Sequence, residues 1–197
     1  AAEDFLHAGY DTTAKAILLC ESDGTPEEVA EEIAHMEEVL NGCGATRIQV
    51  SRNEIERLVF WSGRKNAFPA AGRLSPDYYC MDGTIPRRSI GSLLRSIEEM
   101  EKKYRLRCIN VFHAGDGNIH ANLHYDASDP DDVRRTEKTH HELDAAVLEF
   151  GGSLSGEHGA GFLKDVGRQI GKEEHALMRG VRRIFDPRGI LNPGKGY

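Results

Sequence analysis

The order of strand-like and helix-like segments in the second half of the chain restricts the fold more than any other feature. Amphipathic segments predict helices at 87–104 and 129–152. Short apolar segments predict strands at 77–86, 105–113, 118–126 and, at the end of the series, 153–156. The resulting order, β-α-β-β-α-β, is that of the ferredoxin-like split motif.

The first half of the chain shows a shorter version of the same pattern. Strands are predicted at 15–21 and 46–51, and helices at 25–44 and 53–74. We therefore expect an α+β fold, a ferredoxin-like (duplicated) antiparallel sheet with packed helices, in one domain over residues 1–197. The segment 185–197 has two prolines and three glycines, and we expect it to be irregular.

Composition excludes several classes of protein. The net charge of −7 argues against a nucleic-acid partner. No apolar segment approaches the roughly 18 residues that a membrane-spanning helix needs, and the N-terminal residues show no secretory signal. The four cysteines form no CxxC pair, so we expect reduced thiols and a cytoplasmic protein.

Two histidines flank a glycine-rich turn in the segment "VFHAGDGNIHANLHYD". If Asp116-Gly117 forms a two-residue hairpin turn, counting outward pairs His113 directly with His120. Their Cβ atoms would then lie about 4.5–5.5 Å apart on one face of the sheet, and Asn122 would continue that face. Two imidazoles held in this way can share a divalent metal ion, which favours their neutral form.

A Glu-His pair stands among three glycines in "SGEHGAG". Adjacent side chains diverge, so Glu157 could complete a His-His-carboxylate metal site while His158 acts as a base. Arg64 could bind a carboxylate through its bidentate guanidinium group. Hairpin histidines, polar loops and helix arginines also occur without any function, so the residues by themselves leave the chemistry open.

Four segments together resemble the C-terminal domain of FAD-linked oxidases of the vanillyl-alcohol oxidase class. They are "DYYCMDGTIPRR", "NVFHAGDGNIHANLHYD", "GGSLSGEHGAG" and "FDPRGILNPGK". Their order is that of the family, which includes FAD-linked subunits of glycolate oxidase and dehydrogenases of D-lactate and D-2-hydroxyglutarate. The resemblance covers essentially the whole chain.

The resemblance implies a cap over the flavin of a separate FAD-binding domain that this chain does not contain, so that the fragment alone is expected to be inactive. It implies metal-assisted deprotonation of a 2-hydroxy acid and hydride transfer to FAD. The roles that it implies are metal binding (Zn, Mn or Fe) by His113, His120 and Glu157, a base at His158, substrate binding by Arg64 and Asn122, and flavin-side contacts by Asn192 and Lys195.

The same resemblance implies partners and a location. The partners are a small 2-hydroxy acid, the FAD-binding domain and other glycolate oxidase subunits, including an iron–sulfur subunit. The location is the cytoplasm or the periphery of the inner membrane. Two other classes use the same residues: a self-sufficient metal hydrolase or non-haem iron protein without flavin, and a non-catalytic remnant that only binds partners.

Overall fold

The computed structural model describes residues 1–162 and 164–195, and it shows an α+β protein. The helices are α1 (Ala2–Leu6), α2 (Pro26–Gly42), α3 (Glu54–Lys65), α4 (Ala67–Ala71), α5 (Ile90–Tyr104), α6 (Pro130–Glu149) and α7 (Lys172–Phe185). The strands are β1 (Asp77–Cys80), β2 (Gly83–Thr84), β3 (Arg107–Asn110), β4 (Asn118–Ile119) and β5 (Ala121–Tyr125). The chain divides into two compact units, of which the first is Ala1–Ala71 and the second begins at Gly72.

Helices make up the regular structure of the N-terminal unit. As the sequence predicts, α2 begins with a capping box, in which the Glu28 carboxylate accepts the Thr25 N–H at 2.9 Å and the Thr25 hydroxyl accepts the Glu28 N–H. The helix predicted over 53–74 is divided into α3 and α4. Inside this unit the Tyr10 hydroxyl accepts the Gly63 N–H and donates to the Phe60 carbonyl oxygen.

The strands predicted at 15–21 and 46–51 are wrong, because neither segment is a strand in the structure. A strand needs a hydrogen-bonded neighbour and a buried face, and these segments have neither among the residues that are described. Ile17 and Leu18 are each 57% exposed, and Val50 is 43% exposed. The expected partial second copy of the β-α-β-β-α-β motif is therefore not confirmed.

The C-terminal unit follows the predicted order of elements, with shorter strands. Its larger sheet has the order β1-β5-β3, and β2 pairs with β4; every pair is antiparallel. The strand predicted over 77–86 is interrupted between β1 and β2. The final strand predicted at 153–156 is reduced to one bridge between Ser153 and Thr84.

One hydrophobic core lies in the C-terminal unit, where the apolar stripes of α5 and α6 contact each other and the sheet. Apolar side chains of both helices and of alternate strand positions are removed from water there, which is the main favourable contribution to folding. The buried cluster consists of Met81, Ile85, Leu93, Ile97, Met100, Ile119, Ala121, Leu143, Val147 and Leu154.

The histidine hairpin has a different register from the predicted one. His113 pairs with Asn118, and the Val111 N–H donates to the His120 carbonyl oxygen at 3.1 Å. The loop is therefore 114–117, and the direct pairing of His113 with His120 is wrong. The shift is two residues, and a two-residue shift leaves every side chain on its original face.

Gly117 explains why the loop ends where it does. Its φ of +76° lies in the left-handed region that glycine adopts without strain. A Cβ atom at this position would lie 2.1 Å from the Ile85 carbonyl oxygen, so the space excludes any side chain. Its own carbonyl oxygen accepts the Ile85 N–H at 2.9 Å, which joins the loop to the segment after β2.

Helix α7 and the segment after it complete the C-terminal unit; no element was predicted at 172–184. Residues 186–195 are irregular, as predicted, but hydrogen bonds to Asp186 and Arg182 fix their path. The Asp186 carboxylate accepts the Ile190 and Leu191 N–H groups, each at 2.9 Å. The Arg182 guanidinium group donates to the carbonyl oxygens of Leu191, Asn192 and Lys195.

Two further observations concern the whole chain. Among the described residues, no helix combines the length and the apolar composition that crossing a bilayer requires. All four cysteines are free, as predicted; Cys20 and Cys43 are exposed, whereas Cys80 and Cys108 are partly buried.

Candidate active site

Three imidazole groups surround one carboxylate oxygen in the C-terminal unit. Glu157 Oε1 lies 3.0 Å from His120 Nε2, 3.5 Å from His158 Nε2 and 3.7 Å from His113 Nε2. The His120 ring is stacked parallel to that of His158 and meets that of His113 edge to face. The four predicted metal and base residues are therefore together, although two of them come from the hairpin and two from the 153–162 segment.

The hydrogen bonding of His120 indicates which of its nitrogen atoms faces Glu157 with a lone pair. His120 is 2% exposed, and its Nδ1 faces the Met81 carbonyl oxygen at 3.3 Å. A carbonyl oxygen can only accept, so Nδ1 carries the proton and the neutral ring presents a lone pair at Nε2. Burial lowers the pKa of His120, which favours this neutral form.

These groups fit a divalent cation. The Nε2 lone pair of His120 and the carboxylate oxygen of Glu157 are both acceptors, and a cation between them would replace repulsion with attraction. Ligands about 2.0–2.2 Å from one ion lie roughly 2.8–3.6 Å apart at octahedral or tetrahedral angles. The separations of Glu157 Oε1 from His120 Nε2 and His158 Nε2, 3.0 and 3.5 Å, match this spacing, and the separation from His113 Nε2, 3.7 Å, is slightly longer. A backbone carbonyl oxygen behind a metal histidine is a common supporting contact.

Other ligand atoms lie close to the same point. The side chains of Asp82, His120, Glu157 and His158 have ligand atoms within 4.8 Å of one another, and so do those of Cys80, His120 and His158. Burial, followed by the Asp82 carboxylate, raises the pKa of the Cys80 thiol to about 11. Cys80 is therefore a neutral thiol near neutral pH.

Asp82 is the residue of this site that sequence reasoning missed. It is fully buried, and it follows β1 in a segment that was predicted as one continuous strand. Burial alone would raise the pKa of its carboxyl group, but hydrogen bonds from Lys164, Asn118 and backbone N–H groups outweigh that effect and hold it far below its usual range. The sequence did contain a signal for Asp82. A charged residue inside an apolar strand is unusual, because a buried charge needs hydrogen-bond or ion-pair partners, and this indicates a structured polar site.

Two kinds of glycine allow the 155–161 segment to take its path. A Cβ atom at Gly156 would lie 1.8 Å from Asn118 Nδ2, so the backbone approaches β4 more closely than any other residue permits. Gly159 and Gly161 have φ values of +78° and +56° and are open to solvent. The close approach of the backbone is thus at Gly156, while the other two glycines turn the chain.

Asn122 lies on the same face as His120, and its side chain has one unused atom. It is fully buried, and its Nδ2 donates to the carbonyl oxygens of Ile109 and His120, each at 3.1 Å. Its Oδ1 is buried without a hydrogen-bond partner. Two residues further along β5, His124 is 5% exposed and also has a buried unpartnered atom, Nε2.

The remaining predicted residues lie in two places. Arg64 is in the last turn of α3, in the N-terminal unit. Asn192 and Lys195 line an open cleft of the C-terminal unit together with His158, Ala160 and Gly161. The structure therefore brings the two predicted flavin-side residues next to the predicted base.

Fold and site together define an α+β domain in which histidine and carboxylate side chains lie close enough together to hold one metal ion. Comparison with known proteins gives the family: residues 1–196 match the family described as FAD linked oxidases, C-terminal domain. The chain belongs to this family.

Similar proteins are a subunit of glycolate oxidase and a D-lactate dehydrogenase. The chain is 49% identical over 197 residues to glycolate oxidase subunit GlcD of Escherichia coli K12, an alignment that covers 99% of this chain and 40% of GlcD. It is 34% identical to GlcD of Bacillus subtilis, covering 99% of this chain and 42% of that protein. It is 27% identical over 192 residues to the mitochondrial D-lactate dehydrogenase (cytochrome) of Arabidopsis thaliana, covering 95% and 34% of the two proteins. The chain thus spans about two fifths of the length of the GlcD proteins that it matches.

Proposed function

We propose that this chain is the substrate-binding domain of a flavin-dependent enzyme that oxidises a small 2-hydroxy acid of the glycolate or D-lactate type. His113, His120 and Glu157 would bind a divalent metal ion, Zn, Mn or Fe, beside the substrate. The observation that carries this proposal is the arrangement of three imidazole Nε2 atoms around Glu157 Oε1. Membership in a family of FAD-linked oxidases supports the flavin part.

The chain's own residues would prepare the substrate for oxidation. When bound, the ion would polarise the substrate hydroxyl and the flavin would accept the hydride from the neighbouring carbon. His158 would take the hydroxyl proton at Nε2. Its side chain is 47% exposed, so a substrate can reach it, whereas His120 is shielded from solvent.

Two further residues would recognise the substrate. Both N–H groups of the Asn122 amide are used by backbone carbonyl oxygens, so the free Oδ1 can only accept a hydrogen bond. Asn122 Oδ1 therefore suits a donor group rather than a carboxylate. Arg64 suits the carboxylate, which a guanidinium group binds through two parallel hydrogen bonds.

The flavin requires a partner domain. Because the GlcD relatives are more than twice as long as the aligned region, we propose that an FAD-binding domain completes the site next to Asn192 and Lys195. GlcD is named as a subunit of glycolate oxidase, and we propose by analogy that further subunits, including an iron–sulfur subunit, accept the electrons.

The metal part is tested by direct titration. The intact protein is stripped with a chelator, and Mn²⁺ binding and the reduction of its flavin by glycolate and by D-lactate are then measured without oxygen. We expect one Mn²⁺ per chain and metal-dependent flavin reduction, both lost in Glu157→Gln and retained in the exposed control Glu149→Gln. Metal-independent flavin reduction would contradict the proposed role of the ion. Oxygen consumption or ester hydrolysis by flavin-free protein would favour the metal hydrolase or non-haem iron alternative.

The role of His158 is tested separately, because its ring is also close enough to be a ligand. We expect His158→Gln to lower kcat by about 10²–10⁴-fold, the usual contribution of a general base, while Mn²⁺ and flavin contents stay unchanged. Loss of the metal together with the activity would assign His158 to the ligands. Turnover close to that of the unmodified protein would exclude it as the base.

A further inference from the structure

Asp82 contacts the predicted metal ligand Glu157 and the predicted base His158 through their backbone. Its carboxylate accepts the N–H of Glu157 at 3.1 Å and that of His158 at 2.8 Å. It also accepts the Gly156 N–H at 3.1 Å, and a second hydrogen bond joins the same N–H to the Asp82 carbonyl oxygen at 2.9 Å. Three successive backbone donors of one loop therefore converge on one buried side chain.

Two side chains complete the environment of this carboxylate. Lys164 Nζ lies 2.6 Å from Oδ2 in an ion pair that is almost completely shielded, with the lysine side chain 11% exposed. Asn118 Nδ2 donates to Oδ1 at 2.9 Å. With these partners both oxygen atoms are occupied, so Asp82 is not available as a metal ligand in spite of its proximity.

Asn118 extends the connection to the histidine hairpin. Its carbonyl oxygen accepts the His113 N–H at 3.0 Å, while its side chain donates to Asp82. A continuous series of hydrogen bonds thus runs from one predicted metal histidine, through Asn118 and Asp82, to the backbone of Glu157 and His158. The segment 154–162 has no regular secondary structure that could hold these two residues otherwise.

We propose that Asp82 is the positioning residue of this site: it fixes the backbone of Glu157 and His158 against the histidine hairpin, and thereby sets the affinity of the site for its metal ion. This inference rests on the proposed metal site. Residues that orient metal ligands from behind change metal affinity by about 10–100-fold when they are replaced, because a ligand that is free to move pays the cost of ordering at each binding event.

The first experiment measures the loop itself and needs no metal. Amide hydrogen exchange of residues 156–158 is followed in the intact, metal-free protein and in Asp82→Asn, whose NH₂ group would face donors. We expect exchange at Glu157 and His158 to accelerate by at least about tenfold, since their N–H groups lose their acceptor, and a smaller change at Gly156, whose N–H keeps the Asp82 carbonyl oxygen. Asp144→Asn is the matched control, because it removes a charge from another buried carboxylate that contacts His140 and Arg168 instead.

The second experiment measures Mn²⁺ affinity. We expect Asp82→Asn to raise the Mn²⁺ dissociation constant about 10–100-fold, with the flavin content and the thermal midpoint close to those of Asp144→Asn. In a double-mutant cycle with Glu157→Asp, which keeps a carboxylate but moves it and so weakens Mn²⁺ binding without abolishing it, adding Asp82→Asn should cause little further loss, because Asp82 acts through the position of this carboxylate. A fully additive loss would show a general structural role and overturn the proposal.

The two experiments separate the failure of each hypothesis. If the unmodified protein binds no Mn²⁺, the proposed metal site fails, while the exchange measurement still decides whether Asp82 fixes the loop. Unchanged exchange in Asp82→Asn, or accelerated exchange with unchanged Mn²⁺ affinity, would overturn the inference. If Asp82→Asn does not fold, Lys164→Met replaces it: it removes one partner of Oδ2 and should accelerate the same amides by a smaller factor.

Discussion

The two faces of β5 are equally inaccessible to water and chemically opposite. Ala121, 0% exposed, belongs to the apolar core, and Leu123, 1% exposed, lies on the same face of the strand by alternation. His120, Asn122 and His124 alternate with them and are 0–5% exposed. On the first face every buried atom is apolar, whereas on the second face Asn122 Oδ1 and His124 Nε2 have no hydrogen-bond partner.

The difference shows that burial serves two purposes in one strand. Burial of apolar side chains stabilises the fold by roughly 25 cal/mol per Å². Burial of polar atoms without partners costs free energy, typically about 1–3 kcal/mol for each group. A ligand that reached these atoms would satisfy them, so we propose that one face of β5 serves stability and the other serves recognition.

The largest effect is expected from His120→Gln, on the polar face. This substitution removes the most deeply buried predicted ligand. A bound metal ion contributes several kcal/mol of transition-state stabilisation, so its loss should lower turnover by at least about 10³-fold. Turnover and Mn²⁺ content of the intact protein are measured together. If both turnover and Mn²⁺ content are retained, the polar face of β5 takes no part in the proposed chemistry.

The matched substitution on the apolar face is Leu123→Ala. It leaves a cavity in a packed region and should lower the free energy of unfolding by about 2–5 kcal/mol. Urea denaturation measures this loss, while turnover per folded molecule should stay near that of the unmodified protein. A selective loss of turnover without loss of stability would contradict the division between the faces.

Gly117→Ala tests the loop that fixes the register of both faces. The positive φ and the Ile85 carbonyl oxygen, 2.1 Å from the position of a Cβ atom, both oppose a side chain. We expect a loss of about 1–3 kcal/mol in unfolding free energy, together with weaker Mn²⁺ binding. Gly115→Ala is the control, because nothing lies within 4 Å of the position that its added methyl group would occupy; equal effects in the two variants would contradict the steric explanation.

The smallest effect concerns pH. Burial, followed by the charge of Arg107, lowers the pKa of His124 in the folded protein, so the unfolded chain binds more protons at this residue. Stability from this group is complete above the unfolded pKa near 6.5 and decreases as the pH falls below it, by at most about 1.4 kcal/mol per pH unit. His124→Gln should make unfolding curves between about pH 6.5 and 5 less dependent on pH, and the exposed control His35→Gln should not.

The sequence predicted the candidate site better than it predicted the hairpin that forms it. Asp116-Gly117 occupies the last two positions of a four-residue loop rather than a two-residue turn, so the predicted pairing was wrong. His113 and His120 still lie on one face, with ring centroids 5.5 Å apart, because the error was an even number of residues. The alternation of side chains between the two faces of a strand can be predicted from the local sequence. The exact pairing of the two strands depends on a distant contact, that of Gly117 with Ile85.

Two features could not be predicted from local patterns. Asp82 acts on residues more than 70 positions away, and nothing in the neighbouring sequence shows that three backbone N–H groups will meet it. The segments 15–21 and 46–51 have the composition of strands, but a strand exists only where a partner strand is within reach. Capping signals, by contrast, are complete within a few residues, and α2 begins where Thr25 predicted.

The four free thiols differ in a way that is useful for labelling the protein. Burial raises the pKa of Cys80 to about 11 and that of Cys108 to about 12, so neither forms an appreciable amount of reactive thiolate near neutral pH. Cys20 and Cys43 are exposed and belong to the N-terminal unit. Among the thiols of this chain, a maleimide fluorophore should therefore react only with those of the N-terminal unit, without any cysteine substitution. The metal ligands and the neighbouring Cys80 thiol would stay unmodified.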